Sequence, residues 1–491
     1  MKRIYFLILL LSANIYLFAQ TQSYKRGLAV NPQGSNLFTN ADLSVVSPGI
    51  SWFYNWATTP VDPIDNLDVD YVPMAWCYYD DLETMLRTYL ETRPNVKYIL
   101  GYNEPDHGGQ ANMTPEKAVE HWHIIEKVAE DFNLKIVSPV VAGNINWLDR
   151  FFELCPECRV DYIGVHVYVR DLATFQSVIS QYYKYNKPLW LTEFCSCLWE
   201  SWCGALPWGA NVFEIQRKLL VETVDWLETN DKIYRYSWFL SKGKADPAEG
   251  ELGYQILEEE TSELTDLGKV YVNMSSYDKD FYHTTAQRIE AEHYISMKDV
   301  SLFATDDESG QLHASSLSTN SQLNYQIDVP KTGEYFLNVR VAGNQASQLL
   351  LLNENAVLFS PKMVDIPNTN GVWKTVSISV NLTAGKQTLS IKFDKVDTKL
   401  NWLSFTSFPA GMINSKENNN AKIYSTLVDD EIRIESEEGI KQVTIYNTVG
   451  MKVRQVKNAS IINMSDLGSG IYFIQCLTEK DNNYRTSVIK K

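Results

Sequence analysis

The sequence predicts an α/β chain, a TIM-type (β/α)8 barrel, followed by two smaller all-β sandwiches. Three observations predict it. Over the first half, strand-forming runs alternate with stretches of helical periodicity, and eight such strands within about 250 residues favour a closed barrel over an open sheet. Over the second half that periodicity gives way to short alternating runs separated by turn residues, the pattern of sandwiches. Linker-like stretches at 273–285 and 411–422 part the three units, which are read as 24–275, 286–408 and 423–491.

The barrel strands are expected at 25–30, 50–56, 70–76, 98–104, 135–139, 161–168, 188–194 and 233–239. Helices are expected at 81–91, 114–131, 145–154, 172–185 and 213–229. Thr114-Pro115-Glu116 opens one of them with a hydroxyl cap, a proline at the first helical position and an acid against the positive end of the dipole.

With 491 residues, 45% of them hydrophobic, the chain has enough apolar surface for several cores. A formal charge of −16 without any basic cluster argues against nucleic acid as a partner. Residues 1–19 read as a secretory signal peptide: Lys2 and Arg3, an apolar run too short to span a membrane comfortably, and Ala19 at the cut. No later stretch is apolar for long enough to make a membrane span. Seven cysteines in an exported chain permit disulfides. Cys155-Pro156-Glu157-Cys158 reads as local stapling rather than half a zinc site, since no second pair follows at ligand spacing. The remaining pairings stay open. Thirteen Trp and 28 Tyr supply rings for cores and, in an acidic exported chain, for stacking on pyranose faces.

The run at 98–104 ends on Asn103-Glu104 and is cut off by Pro105, while 188–194 carries Glu193 near its end. Each strand therefore delivers a carboxylate to the rim of a sheet, and two such acids are what glycoside hydrolysis needs. Reading the C-terminal strand ends, where barrel chemistry lies, adds Trp56, Trp76, Tyr102, Asn103, His166, Tyr168 and Trp238 as candidate sugar contacts. His166 has a second reading, as the histidine that orients a neighbouring carboxylate.

Six motifs in consistent order, Trp52-Phe53-Tyr54-Asn55-Trp56, Tyr71 to Trp76, Gly101 to Asp106 with Gln110 to Pro115, Asp161 to Tyr168, Trp190 to Phe194 and Arg235 to Phe239, resemble glycoside hydrolase family 128. The resemblance implies a retaining, cofactor-free β-1,3-glucanase, expected to cut internally, with Glu104 as acid/base and Glu193 as nucleophile. Asn103 would hold the 2-hydroxyl of the reacting sugar. Another β-glucan or an algal galactan is the alternative substrate, and a non-catalytic surface glycan-binding protein the alternative class. The loop from Cys195 to Cys203, with Trp199, Trp202 and Trp208, has no counterpart in that pattern.

Arg288 to Tyr294, Gly371 to Val376 and Leu400 to Phe405 resemble a family 6 carbohydrate-binding module, a jelly roll. The resemblance implies Glu290 and Glu292 near a structural calcium, with Trp373 and Asn401 at a sugar site. Val443 to Gly450 and Met464 to Phe473 resemble the Ig-like C-terminal sorting domain of type IX secretion. That implies the secretion machinery as a partner and a secreted or surface-attached protein.

Overall fold

The computed structural model describes residues 22–31, 37–60, 68–198, 203–206, 209–243, 253–353, 362–406, 421–424, 427–428, 430–447, 452–480 and 483–491. The expected signal peptide, Trp199, Trp202 and Trp208, and all but the last two residues of the second expected linker lie outside these. Among the described residues no helix is long and apolar enough to cross a membrane.

Eight strands make the barrel: β1 Arg26–Ala29, β2 Trp52–Tyr54, β3 Asp70–Tyr71, β4 Tyr98–Ile99, β5 Lys135–Ile136, β6 Ile163–Val169, β7 Leu189–Ser196 and β8 Ile233–Trp238. They pair in parallel in the order β3, β2, β1, β8, β7, β6, with β4 beside β5. Single bridges from Met74 to Leu100 and from Val137 to Tyr162 join the two sets, so the ring closes. The helices are α1 Asn40–Val46, α2 Leu82–Leu90, α3 Pro115–Asp131, α4 Ile145–Leu154, α5 Leu172–Gln181, α6 Val212–Thr229 and α7 Asp266–Asn273. Five of them match the expected stretches; α1 and α7 do not. Both are short, at seven and eight residues, about two turns each. As expected, the Thr114 hydroxyl accepts from the Lys117 amide to start α3.

The bottom of the barrel is stoppered by rings at the N-terminal strand ends. Trp190 meets Trp52, Tyr98, Tyr162 and Tyr234 at centroid distances of 5.0–5.7 Å. Arg235 lies among them and is anchored to Asp70 Oδ2 at 3.0 Å. The Trp52 ring covers Gly27 so closely that a Cβ there would meet it at 2.3 Å, which only glycine permits. Much of the aromatic surplus is therefore packing.

The sandwich that follows consists of two six-stranded sheets, and the C-terminal unit of a three-stranded and a five-stranded sheet. The stretch expected to be the first linker is packed instead. Met274, Ser275, Tyr277, His283 and Thr285 are buried. The Ser275 hydroxyl donates to the Tyr294 carbonyl, and the Tyr277 hydroxyl reaches Asp225 of α6. One continuous hydrophobic cluster runs through barrel and first sandwich, whereas the C-terminal unit has its own. Disulfides join Cys155 to Cys158 and Cys197 to Cys203.

Candidate active site

Glu104 follows β4 and Glu193 lies within β7, both at the C-terminal mouth of the ring. Two local departures from regular strand aim them. Glu104 has φ 43° and Trp56 φ 58°, left-handed conformations that cost a non-glycine residue roughly 1–3 kcal/mol and persist only where surroundings enforce them. The Glu104 amide is held by the Val140 carbonyl at 2.7 Å. In β7 the register slips against β6 between Val165 and His166 and against β8 between Leu191 and Phe194, bulges that re-aim a side chain beside a site.

His166, buried on β6, lies between the two acids. Its Nδ1 is 2.8 Å from Glu104 Oε1 and its Nε2 3.4 Å from Glu193 Oε1. One oxygen of each carboxylate and the ring nitrogen fall within 4.8 Å of one another. Glu193 is further surrounded by donors. Trp56 Nε1 donates to Oε1 at 2.7 Å, Tyr54 Oη to Oε1 at 3.3 Å, and Tyr168 Oη to Oε2. Burial lifts the Glu104 pKa, but the hydrogen bond and charge of His166 outweigh it and hold the carboxyl below its ordinary range. For His166, burial favours the neutral ring, yet Glu193 and Glu104 together raise its pKa above the ordinary value. The cluster thus holds one mobile proton along the contact between Nδ1 and Glu104.

Asn103 is buried beside Glu104, its Nδ2 donating to Gln110 Oε1 at 3.3 Å and its Oδ1 without a partner. Trp56, Trp76 and Tyr168 are half-buried. Two expected contacts are corrected. Tyr102 is 0% exposed and points outward from the barrel, its ring against Trp122 at 5.6 Å, because strand alternation places it opposite to Asn103. Trp238 is 0% exposed and donates to the Tyr254 carbonyl at 2.8 Å, so it supports the wall without facing the cleft. Two residues escaped sequence reading: Tyr54, and Phe239, whose ring meets Trp56 at 6.0 Å and Tyr168 at 5.7 Å. Tyr54 sits inside a motif already quoted, and alternation with Trp56 would have put both on one face.

In the sandwich, Glu290 Oε2, Glu292 Oε2 and Asn401 Oδ1 are buried atoms with no hydrogen-bond partner among the described residues. Burial, with Glu290 alongside, pushes the Glu292 pKa well above the carboxylate range. A Cβ at Gly310, φ +101°, would lie 2.6 Å from Asn401 Oδ1 and 3.4 Å from Glu290 Oε2, so the chain closes onto these oxygens. Asn401 was expected at a sugar site and is instead fully enclosed, with Nδ2 donating to Asp307 Oδ2 at 2.7 Å and the Ser309 carbonyl at 2.8 Å. Trp373 stays half-buried, donating to Asp306 Oδ1 at 2.8 Å.

An eight-stranded α/β barrel with two acids together at its mouth has the parts that glycoside hydrolysis uses. Residues 27–271 match the glycosyl hydrolase catalytic core, 290–407 the carbohydrate binding module of family 6, and 422–491 the secretion system C-terminal sorting domain. The chain belongs to the glycosyl hydrolases through that core, and its sorting domain marks it for export to the outside or the cell surface. It is 24% identical over 255 residues to alkali-sensitive linkage protein 1 of Schizosaccharomyces pombe, covering 51% of this chain and 45% of that one. It is 27% identical over 197 residues to the clotting factor G alpha subunit of Tachypleus tridentatus, covering 38% and 28%. The chain thus spans less than half the length of either relative. Among solved structures, a GH128 (subgroup II) endo-β-1,3-glucanase from Pseudomonas viridiflava is 32% identical, over 51% of this chain and 98% of that one, with a TM-score of 0.44.

Proposed function

We propose that the protein is an exported retaining hydrolase of β-1,3-glucan, cutting within the chain, with Glu193 as nucleophile and Glu104 as acid/base. The observation that carries this reading is the closeness of the two acids. Retaining enzymes keep their carboxyl groups about 5–5.5 Å apart, and inverting ones about 6.5–9.5 Å to admit a water. Oxygens within 4.8 Å support the first class. The choice of β-1,3-glucan rests on the six ordered motifs.

The mechanism follows from the proton count. With His166 charged and both glutamates ionised, moving the Nδ1 proton along the 2.8 Å contact yields protonated Glu104 and a neutral imidazole that keeps Nε2–H toward Glu193. Glu104 then donates to the glycosidic oxygen as Glu193 attacks the anomeric carbon. Water, deprotonated by Glu104, releases the sugar in a second displacement. The donors from Trp56, Tyr54 and Tyr168 orient the nucleophile, and Asn103 is placed to take the 2-hydroxyl. No cofactor enters the scheme.

In the sandwich the donor set fits a structural calcium: two carboxylates and an amide oxygen, hard ligands that lack protein donors. Glu290, Glu292 and Asn401 would hold it, and it would neutralise the two buried acids. Its role is stability, not catalysis. The sandwich is proposed to bind glucan and the C-terminal unit to engage the type IX machinery.

Digestion of laminarin, mixed-linkage glucan and agarose tests the substrate. Fast cleavage of laminarin, with polymer size falling ahead of reducing-end release, is expected. Preference for agarose, or no turnover on any of the three, would overturn the reading.

A further inference from the structure

A cavity of about 740 Å³ lies where barrel and sandwich meet. Asn211 lines it from the cap of α6, Phe213 and Arg217 from α6 itself, Gln255 and Glu259 from the segment after β8, and Phe303 from the sandwich. Its barrel side is built by chain that follows β7 and β8 at their C-terminal ends, the rim that also carries Glu193.

A row of packed rings lies between the cavity and the cleft. Phe239, which walls Trp56 and Tyr168, meets Tyr254 at 5.7 Å. The Tyr254 ring in turn lies 2.8 Å from where a Cβ on Gly243 would stand, and Gly243 lines the cavity. On the far side Phe303 stacks on His313 at 5.4 Å, and His313 meets Trp373 at 5.4 Å. The sandwich wall is fixed. Arg217 lies 3.7 Å over the Phe303 ring, donates to the Leu302 carbonyl at 2.9 Å and reaches the Ser301 hydroxyl, while Glu214 takes its other nitrogens.

We propose that this junction is a second binding stretch for the glucan, built jointly by the two units on the side of the barrel that carries the catalytic cleft; it rests on the reading of the cleft as a β-glucan site. Three features support a neutral polysaccharide. The volume falls within the ~300–1,000 Å³ of ligand sites. Phe213 leaves 51% of its surface exposed, a flat apolar face of the kind pyranose rings stack on; beside it Asn211 Oδ1 caps the Glu214 amide and Gln255 Nε2 donates to the Gly243 carbonyl, which fixes both amides with Asn211 Nδ2 and Gln255 Oε1 left for hydroxyls. Acids outnumber bases in the lining, Glu214, Glu258, Glu259 and Asp266 against Arg217 and Lys269, which disfavours sulfated or uronic chains.

The test compares long and short substrates on the full chain. Phe213→Ala truncates an exposed ring, so folding is spared. On a short β-1,3-gluco-oligosaccharide its kcat/KM should stay within about twofold of the parent. On laminarin KM should rise about three- to tenfold, the worth of one stacking contact. Equal effects on both lengths would overturn the proposal. Gel retardation reads the cavity without turnover: Glu193→Gln should be slowed in laminarin gels, and adding Phe213→Ala should reduce that slowing. Unchanged retardation overturns the junction site even if hydrolysis proceeds. A parent that cleaves neither substrate, with retardation still sensitive to Phe213→Ala, overturns the catalytic reading alone.

Discussion

Glu104 with Glu193 in the barrel and Glu290 with Glu292 in the sandwich are both pairs of acids withdrawn from water, yet their oxygens are treated in opposite ways. In the barrel, Trp56, Tyr54, Tyr168 and His166 all direct N–H or O–H groups at the carboxylates. In the sandwich, one oxygen of each glutamate and the Asn401 oxygen meet no donor among the described residues. The first arrangement balances its own charge and keeps a proton movable. The second is complete only when an outside cation supplies the missing charge. Burying acids is thus not one device but two, and the neighbours decide which.

The comparison can be broken first at its strongest point. Glu193→Ala should lower turnover by about 10⁴-fold or more, since loss of a nucleophile removes the covalent route. Azide should restore slow cleavage with inverted product, and retained configuration in that rescue would refute the assignment. Chelation should act on the other pair alone. Removing calcium should destabilise the sandwich by about 2.7 kcal/mol if the ion is bound at a hundredfold its Kd, read as a fall in Tm that added calcium reverses. Hydrolysis of a short oligosaccharide at 25 °C should not change.

A subtler test concerns the movable proton. Because both glutamates raise the His166 pKa, the parent should keep that proton to a pH above the ordinary histidine value and lose activity only beyond it. In His166→Asn, Glu104 must hold the proton unaided, so the alkaline limb of the kcat/KM profile should move to lower pH, with about a tenfold loss at the optimum. An unmoved limb would make His166 merely structural.

Asp225 is an intermediate case, a half-buried acid with Tyr277 as its donor. Burial pushes its pKa up to about 6 despite that hydrogen bond. A raised acid favours folding most below its unfolded pKa near 4, and that contribution is lost as pH rises through 6. Asp225→Asn should therefore gain on the parent as pH climbs from 4 to 7, by about 2–3 kcal/mol in denaturant titrations. A constant difference across that range would contradict the account.

The barrel was legible because its strands are buried apolar runs closed by turn chemistry, and the two acids because each interrupts such a run at its end. What the sequence concealed was orientation. Tyr102 and Trp238 lie in the right motifs but turn into the protein, and Asn401 turns toward Glu290 rather than toward solvent. A one-residue change of face, or a bulge such as that near His166, leaves no trace in composition. The stretch at 273–285 misled for another reason. Its Ser, Tyr and Asp residues have the look of a linker, yet Ser275 and Tyr277 are buried between the sandwich's Tyr294 and the barrel's Asp225, a surface that only the folded units supply.

The central claim, that Glu193 and Glu104 cleave a β-1,3 linkage by two displacements, is tested most directly by following the first product of laminari-oligosaccharide hydrolysis by proton NMR. The β-anomer should appear first and the α-anomer grow in only by mutarotation. Initial release of the α-anomer would contradict the account.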